Sequence, residues 1–152
     1  MEVALVQSAL AWENPGENRQ YFTALLKPLA GSVDLIVLPE MFTTGFTMNP
    51  QNIGVDEGPR TLDWMLEQAS RANAALTGSM VFQEKGKYYN RLIFARPDGT
   101  YEAYNKRHTF TLAGEDKVYT RGTERLQVNF RGFAICPLIC YDLRFPVWSR
   151  NT

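Results

Sequence analysis

Two apolar runs of strand length, Val3 to Gln7 and Val33 to Leu38, are separated by one helix-sized stretch, and this pattern constrains the fold most. Between them Asn14-Pro15-Gly16-Glu17 opens a helix in which Tyr21, Phe22, Leu25, Leu26 and Leu29 recur at helical spacing, and Gly31-Ser32 closes it. A strand that is continuously apolar, rather than alternating, has both faces covered. Strand, helix, strand therefore predicts a βαβ unit in a buried parallel sheet. Pro39-Glu40 ends the second run, so Glu40 stands just past the C-terminal edge of a buried strand, where α/β proteins place their ligands. The uncharged loop Met41 to Met48, rich in Phe and Met, is expected to shield Glu40 from water and raise its pKa. The plainer alternative is a solvated strand-end carboxylate.

Arg60 to Asn73 predicts a second helix with Leu62, Met65, Leu66 and Ala69 facing inward, and Ala75 to Val81 a third strand. Tyr88 to Ala95 and Tyr101 to Tyr104 alternate, and Arg-Pro-Asp-Gly joins them as a hairpin. This meander delivers Lys106, Arg107 and His108. Two cations there would ordinarily be a solvated strand end, and for Arg107 that is the favoured reading. His108 is either a satisfied structural histidine or a base for a cysteine. Glu115 follows in a turn. Gln127 to Phe130 and Phe133 to Ile139, joined by Arg131-Gly132, predict a last hairpin. Its second run reads as a buried strand ending at Cys140, with Asp142 at the N-cap of a helix carrying Phe145, Val147 and Trp148. A thiol there lies beside backbone N–H groups that favour a thiolate and later an oxyanion. A small buried hydrophobe is the commoner fate of a cysteine.

With 152 residues, 45% of them hydrophobic, the chain is sized for one domain with a real core. Lys+Arg and Asp+Glu are both 16, so the formal charge is zero; no basic face argues for nucleic acid and no polybasic run for a membrane surface. The N-terminus enters a strand pattern directly, without a charged n-region or cleavage site. Cys136 and Cys140 lie too far apart along one strand to pair, which suits a reducing cytoplasm, and Cys136 is expected to pack deeper in that strand. C-x-x-x-C is not a zinc spacing and His108 is the only histidine, so neither a metal nor a cofactor is expected.

Leu-Pro-Glu40, Tyr-Asn-Lys106-Arg-His and Leu-Ile-Cys140-Tyr-Asp-Leu-Arg-Phe-Pro stand at strand ends in an order that resembles the nitrilase superfamily of carbon–nitrogen hydrolases. The likeness runs from Val3 to the last residue, and Glu40-Met-Phe-Thr-Thr-Gly-Phe-Thr-Met is most similar to the omega-amidase branch. The resemblance implies an α-β-β-α sandwich with mixed sheets, of which residues 1–152 form about the N-terminal half, truncated on the C-terminal side. It implies a triad of Glu40, Lys106 and Cys140 supported by Glu115, with the Tyr141 backbone N–H beside the oxyanion. The implied reaction is thiol-dependent hydrolysis of a small amide, such as the omega-amide of an α-keto acid, with ammonia released. Relatives suggest a homodimer for the full-length protein.

Arg144 either binds a substrate carboxylate or braces the turn, for instance against Asp142. Phe42 either walls the pocket or belongs to the core. A catalytically incompetent scaffold, nitrile or carbamoyl hydrolysis, and a Cys–His acyltransferase or protease using His108 are the competing readings. A sheet face without its partner layer would expose apolar surface, so the 152-residue piece is expected to be poorly soluble and inactive alone.

Overall fold

The computed structural model describes residues 1–150. Its main sheet has the order β1 (Val3–Leu5), β2 (Leu35–Val37), β3 (Ala75–Glu84), β4 (Lys87–Ala95), β5 (Tyr101–Asn105). The first three strands are parallel and the last two antiparallel. Parallel neighbours need crossovers, and α1 (Pro15–Leu26) and α2 (Glu57–Ala72) supply them. Asn14 caps α1 by accepting the Glu17 N–H at 3.2 Å. α2 ends where Asn73 turns left-handed at φ +50°. The meander follows from turn chemistry. Lys85 and Gly86 both have positive φ (+51° and +74°), a two-residue turn whose twist suits a hairpin, and Thr100 closes the Arg96–Gly99 turn onto Asp98.

Side-chain alternation gives the sheet two different faces. Ile36, Leu38, Leu76, Met80 and Ile93 pack against Phe22, Leu26, Met65 and Ala69 of the helices. Leu35, Ala75 and Phe94, one residue out of phase, pack against Val128 and Phe130. These last two belong to β6 (Val128–Phe130), which forms a separate two-stranded sheet with β7 (Phe133–Ile135) across the Arg131-Gly132 turn. The described layers are thus helices, a mixed sheet, and a hairpin of a second sheet. The second layer is narrow. Val3 and Leu5 pair with Leu35 and Val37 and so face the same side, yet Leu5 is 78% exposed.

Three expectations are corrected here. β1 is a short edge strand rather than a buried one. The run from Phe133 does not continue as a buried strand to Cys140: β7 stops at Ile135, Phe133 is half exposed, and Cys136 lies at the surface rather than packed. Pro137 has no N–H for a ladder, which accounts for the early stop. Nor is Asp142 an N-cap. Cys140–Arg144 form a single tight helical turn, and the following α3 (Pro146–Ser149) is only one turn long and starts on a proline.

The loop after Glu40 is a buried plug rather than a pocket wall. Ser79 fixes its start, the Met41 N–H donating to Oγ at 2.9 Å and the Phe42 N–H to the carbonyl at 3.0 Å. Asn18 in α1 donates to the Thr43 carbonyl at 2.6 Å, and Tyr119 Oη to the Thr47 carbonyl at 2.8 Å. Phe42 is fully buried among the helix-face residues, its ring edge-on to Phe22 at 5.6 Å between centroids and tilted against Trp64 at 5.7 Å. The substrate-wall reading of Phe42 is therefore replaced by a core one. Phe42→Ala should lower the unfolding free energy by about 3–5 kcal/mol in a denaturant titration. An unchanged midpoint with a raised KM would restore Phe42 to the pocket.

Candidate active site

Strand ends bring three charged groups together. Glu40 follows β2, Lys106 follows β5, and Glu115 sits in a short helical turn after Gly114, whose φ is +77°. The Lys106 backbone is clamped on both sides: its N–H donates to the Asn90 carbonyl at 2.9 Å and its carbonyl accepts the Gly122 N–H at 2.9 Å. Gly122 is a glycine for a steric reason, since a Cβ there would lie 2.1 Å from the Asn105 carbonyl oxygen. The Lys106 ammonium donates to Glu40 Oε1 at 2.6 Å and to Glu115 Oε2 and Oε1 at 2.9 and 3.2 Å. Lys106 and Glu115 are fully buried, while Glu40 keeps about a fifth of its side chain exposed. The Phe46 ring lies 5.3 Å from Nζ.

Burial works against the Lys106 charge, but the charges and hydrogen bonds of Glu40 and Glu115 outweigh it and raise its pKa. The lysine is therefore a permanent ammonium at neutral pH. This burial excludes the solvated alternative for Lys106, and Arg107, expected in solvent, is itself partly buried.

Cys140 opens the tight turn with φ +40°, a left-handed conformation that a non-glycine residue adopts under constraint. Asp142 supplies that constraint. Fully buried, it accepts from Tyr104 Oη at 2.7 Å, from the His108 N–H at 2.9 Å and from the Ile139 N–H at 3.1 Å, with His108 Nδ1 also 2.9 Å away. The turn is thus tied to β5 and to the segment that carries Lys106. The Tyr141 N–H, the next backbone donor after the thiol, has no partner among the described residues. A free donor beside a thiol at an elbow is the geometry that receives an oxyanion.

Burial, then the charge and hydrogen bonding of Glu40, push the Cys140 thiol up, with Lys106 pulling the other way. At rest the sulfur is a thiol, not the thiolate expected from backbone donors alone, so it needs a base. Beside it a cavity of about 500 Å³ opens between the sheet and the Cys140 segment, reaching Glu40 and lined by Val37, Thr77, Leu92 and Phe94.

The remaining assignments separate cleanly. His108 is held by Asp142 and stacked on Phe145, with ring centroids 3.7 Å apart, and its Nδ1 is engaged by the Asp142 carboxylate. That makes it a structural histidine. Arg144 is exposed and makes no ion pair among the described residues, so the bracing against Asp142 is not observed: Asp142 is already saturated by Tyr104, His108 and Ile139. Arg107 is partly buried, donates to the Gly122 carbonyl at 3.1 Å and lies over Trp148. Sequence reasoning missed Asn90, Asp142 as an anchor, and Phe46 as the aromatic that faces the lysine. The available signals were an asparagine within the run of β4 and an aspartate two places past the cysteine.

The carbon-nitrogen hydrolase family model matches residues 2–151, and the chain belongs to that family. Within it the chain is 42% identical to omega-amidase YafV of Yersinia enterocolitica over 99% of its own length and 58% of that protein's. It is 27% identical to the 2-oxoglutaramate amidase of Bacillus subtilis, again over 98% of the chain and 59% of the relative. A carbon–nitrogen hydrolase superfamily protein of Xanthomonas campestris, solved with an arsenic adduct in its active site, superposes with a TM-score of 0.94 at 45% identity, covering 99% of this chain and 57% of that one. The chain thus spans a little under three fifths of the relatives it matches. The superposition matches the layering expected for the N-terminal part of the sandwich.

The raised thiol pKa has a direct consequence. Alkylation of Cys140 by iodoacetamide, followed by peptide mass spectrometry, should keep accelerating as pH rises past the ordinary thiol value of about 8.5. A rate that levels off below pH 7 would contradict it.

Proposed function

We propose that this site hydrolyses the amide of a small molecule through a thioester on Cys140, the substrate being the omega-amide of an α-keto acid such as α-ketoglutaramate. The observation that carries the reading is the convergence of Glu40, Lys106 and Glu115 within 3.2 Å contacts beside the Cys140 elbow. In the proposed reaction Glu40 takes the thiol proton as Cys140 Sγ bonds to the amide carbon. The Tyr141 N–H and the Lys106 charge stabilise the resulting oxyanion, a preorganised donor of this kind contributing roughly 3–4 kcal/mol. The tetrahedral adduct collapses, its C–N bond breaks, and Glu40 passes the proton to the departing ammonia. Glu40 then draws a proton from water as the water attacks the thioester, and the expelled sulfur is reprotonated. Amide and water become acid and ammonia, and the enzyme returns unchanged.

Glu115 has no proton to move in this scheme; it holds Lys106 in place and charged. Arg144, exposed and free of ion pairs, supplies a cation for the substrate carboxylate. The omega-amide choice is supported by the likeness to omega-amidase YafV and to the 2-oxoglutaramate amidase. With it go a reducing cytoplasmic compartment, which keeps both thiols free, and a homodimer of the full-length protein. No helix among the described residues is long and apolar enough to cross a membrane.

The intact protein mixed with α-ketoglutaramate, a nitrile and a carbamoyl compound, then acid-quenched for mass spectrometry, tests the proposal. The keto-acid amide should leave an acyl group on Cys140, and Cys140→Ala should lose both the acyl group and roughly 10³-fold or more of the ammonia release. Unchanged turnover by Cys140→Ala would refute the thioester. Acylation by the nitrile or carbamoyl compound alone would refute the substrate.

A further inference from the structure

Asn90 is held in the middle of the charged cluster by both its backbone and its side chain. It lies on β4 opposite Val81, it is 1% exposed, and its carbonyl accepts the Lys106 N–H. Its side-chain Nδ2 donates to Glu40 Oε1 at 2.8 Å and to Glu115 Oε1 at 3.0 Å. Its Oδ1 is buried with no partner. The amide orientation is fixed by chemistry, because a flipped amide would point its oxygen at two carboxylates. That Asn90 Nδ2 gives both of its hydrogens to carboxylates calls for an explanation.

The explanation lies in how the oxygens of Glu40 are divided. Both nitrogen donors to Glu40 among the described residues, the Asn90 amide and the Lys106 ammonium, use Oε1. That leaves Oε2 for the Cys140 thiol, which also hydrogen-bonds Glu40. We infer that Asn90 is a positioning residue for the base: it sets the rotation of the Glu40 carboxylate and keeps one of its oxygens open toward the thiol. An amide suits this task because it adds two donors and no charge. A second cation in its place would drain the basicity of Glu40, and an apolar residue would leave the carboxylate steered by Lys106 alone. The inference rests on the Glu40–Cys140 reaction proposed above.

The test is the pH dependence of ammonia release by the intact protein carrying Asn90→Leu and, separately, Asn90→Ser, with Cys140→Ala as the control. Leucine removes both donors, whereas serine keeps one short hydroxyl donor. The expected result is a kcat lower by roughly ten- to a hundredfold with KM nearly unchanged. The acidic limb of kcat/KM should also move to higher pH, more for leucine than for serine, because the ionised form of Glu40 loses a hydrogen bond. Wild-type kcat with an unmoved acidic limb in both variants overturns the inference, as does loss of activity with the limb unmoved. Should the leucine variant fail to unfold cooperatively, the serine variant decides by the same criteria. Wild-type behaviour of the Asn90 variants beside an inactive Cys140→Ala overturns this inference alone, whereas an active Cys140→Ala overturns the underlying reaction.

Discussion

A single ammonium group, Lys106 Nζ, joins two carboxylates that come from distant parts of the chain. It is buried, and burial of a charge is tolerated only with partners of good geometry. Glu40 arrives from the parallel half of the sheet, Glu115 from the loop after the meander, and both bond the same nitrogen within 3.2 Å. The strand order follows the same logic, since the ends of β2 and β5 and the early half of β4 lie toward one edge of the sheet. Two carboxylates from distant stretches thus share one buried ammonium.

A second fastening ties the Cys140 turn to the Lys106 segment. Asp142 collects a phenol and two backbone N–H groups, with an imidazole also in contact, and in doing so holds Cys140 in a left-handed conformation it would not adopt freely. His108, two residues past Lys106, bonds Asp142, two residues past Cys140. The lysine segment and the cysteine turn are therefore registered to each other directly. Tyr104 is part of the same tie, and burial and Asp142 raise its pKa, so the phenol stays a donor at neutral pH. Trp148 donates to Tyr104 Oη at 3.1 Å, which fixes α3 against the same point.

How much of this was legible in the sequence depends on whether a feature is local. The βαβ unit and both hairpins were readable because helical spacing, turn residues and apolar runs are short-range signals, and the observed strands fall where those signals lie. Glu40, Lys106, Glu115 and Cys140 were singled out through the resemblance of their flanking words, and of these Glu40, Lys106 and Glu115 are in hydrogen-bond contact. The Phe133 to Ile139 run was misjudged because apolarity alone does not distinguish a ladder strand from a covered loop, and Pro137 decided the matter. Asp142 looked like a helix cap because a cap and a buried anchor share one residue type; only Tyr104 and His108, distant in sequence, tell them apart. Phe42 was misread for a related reason: a side chain beside a site in sequence points either into the pocket or into the core, and its packing against Phe22 and Trp64 puts it in the core.

The central claim is that a buried ammonium binds two carboxylates into one unit, and its most direct test is a double-mutant cycle on Lys106 and Glu115, read by denaturant unfolding at neutral pH. Lys106→Met alone should cost about 3–5 kcal/mol, because it strands two carboxylates, and adding Glu115→Gln should recover part of that loss. A Lys106→Met protein as stable as the wild type, or losses that simply add, would mean that no such unit exists.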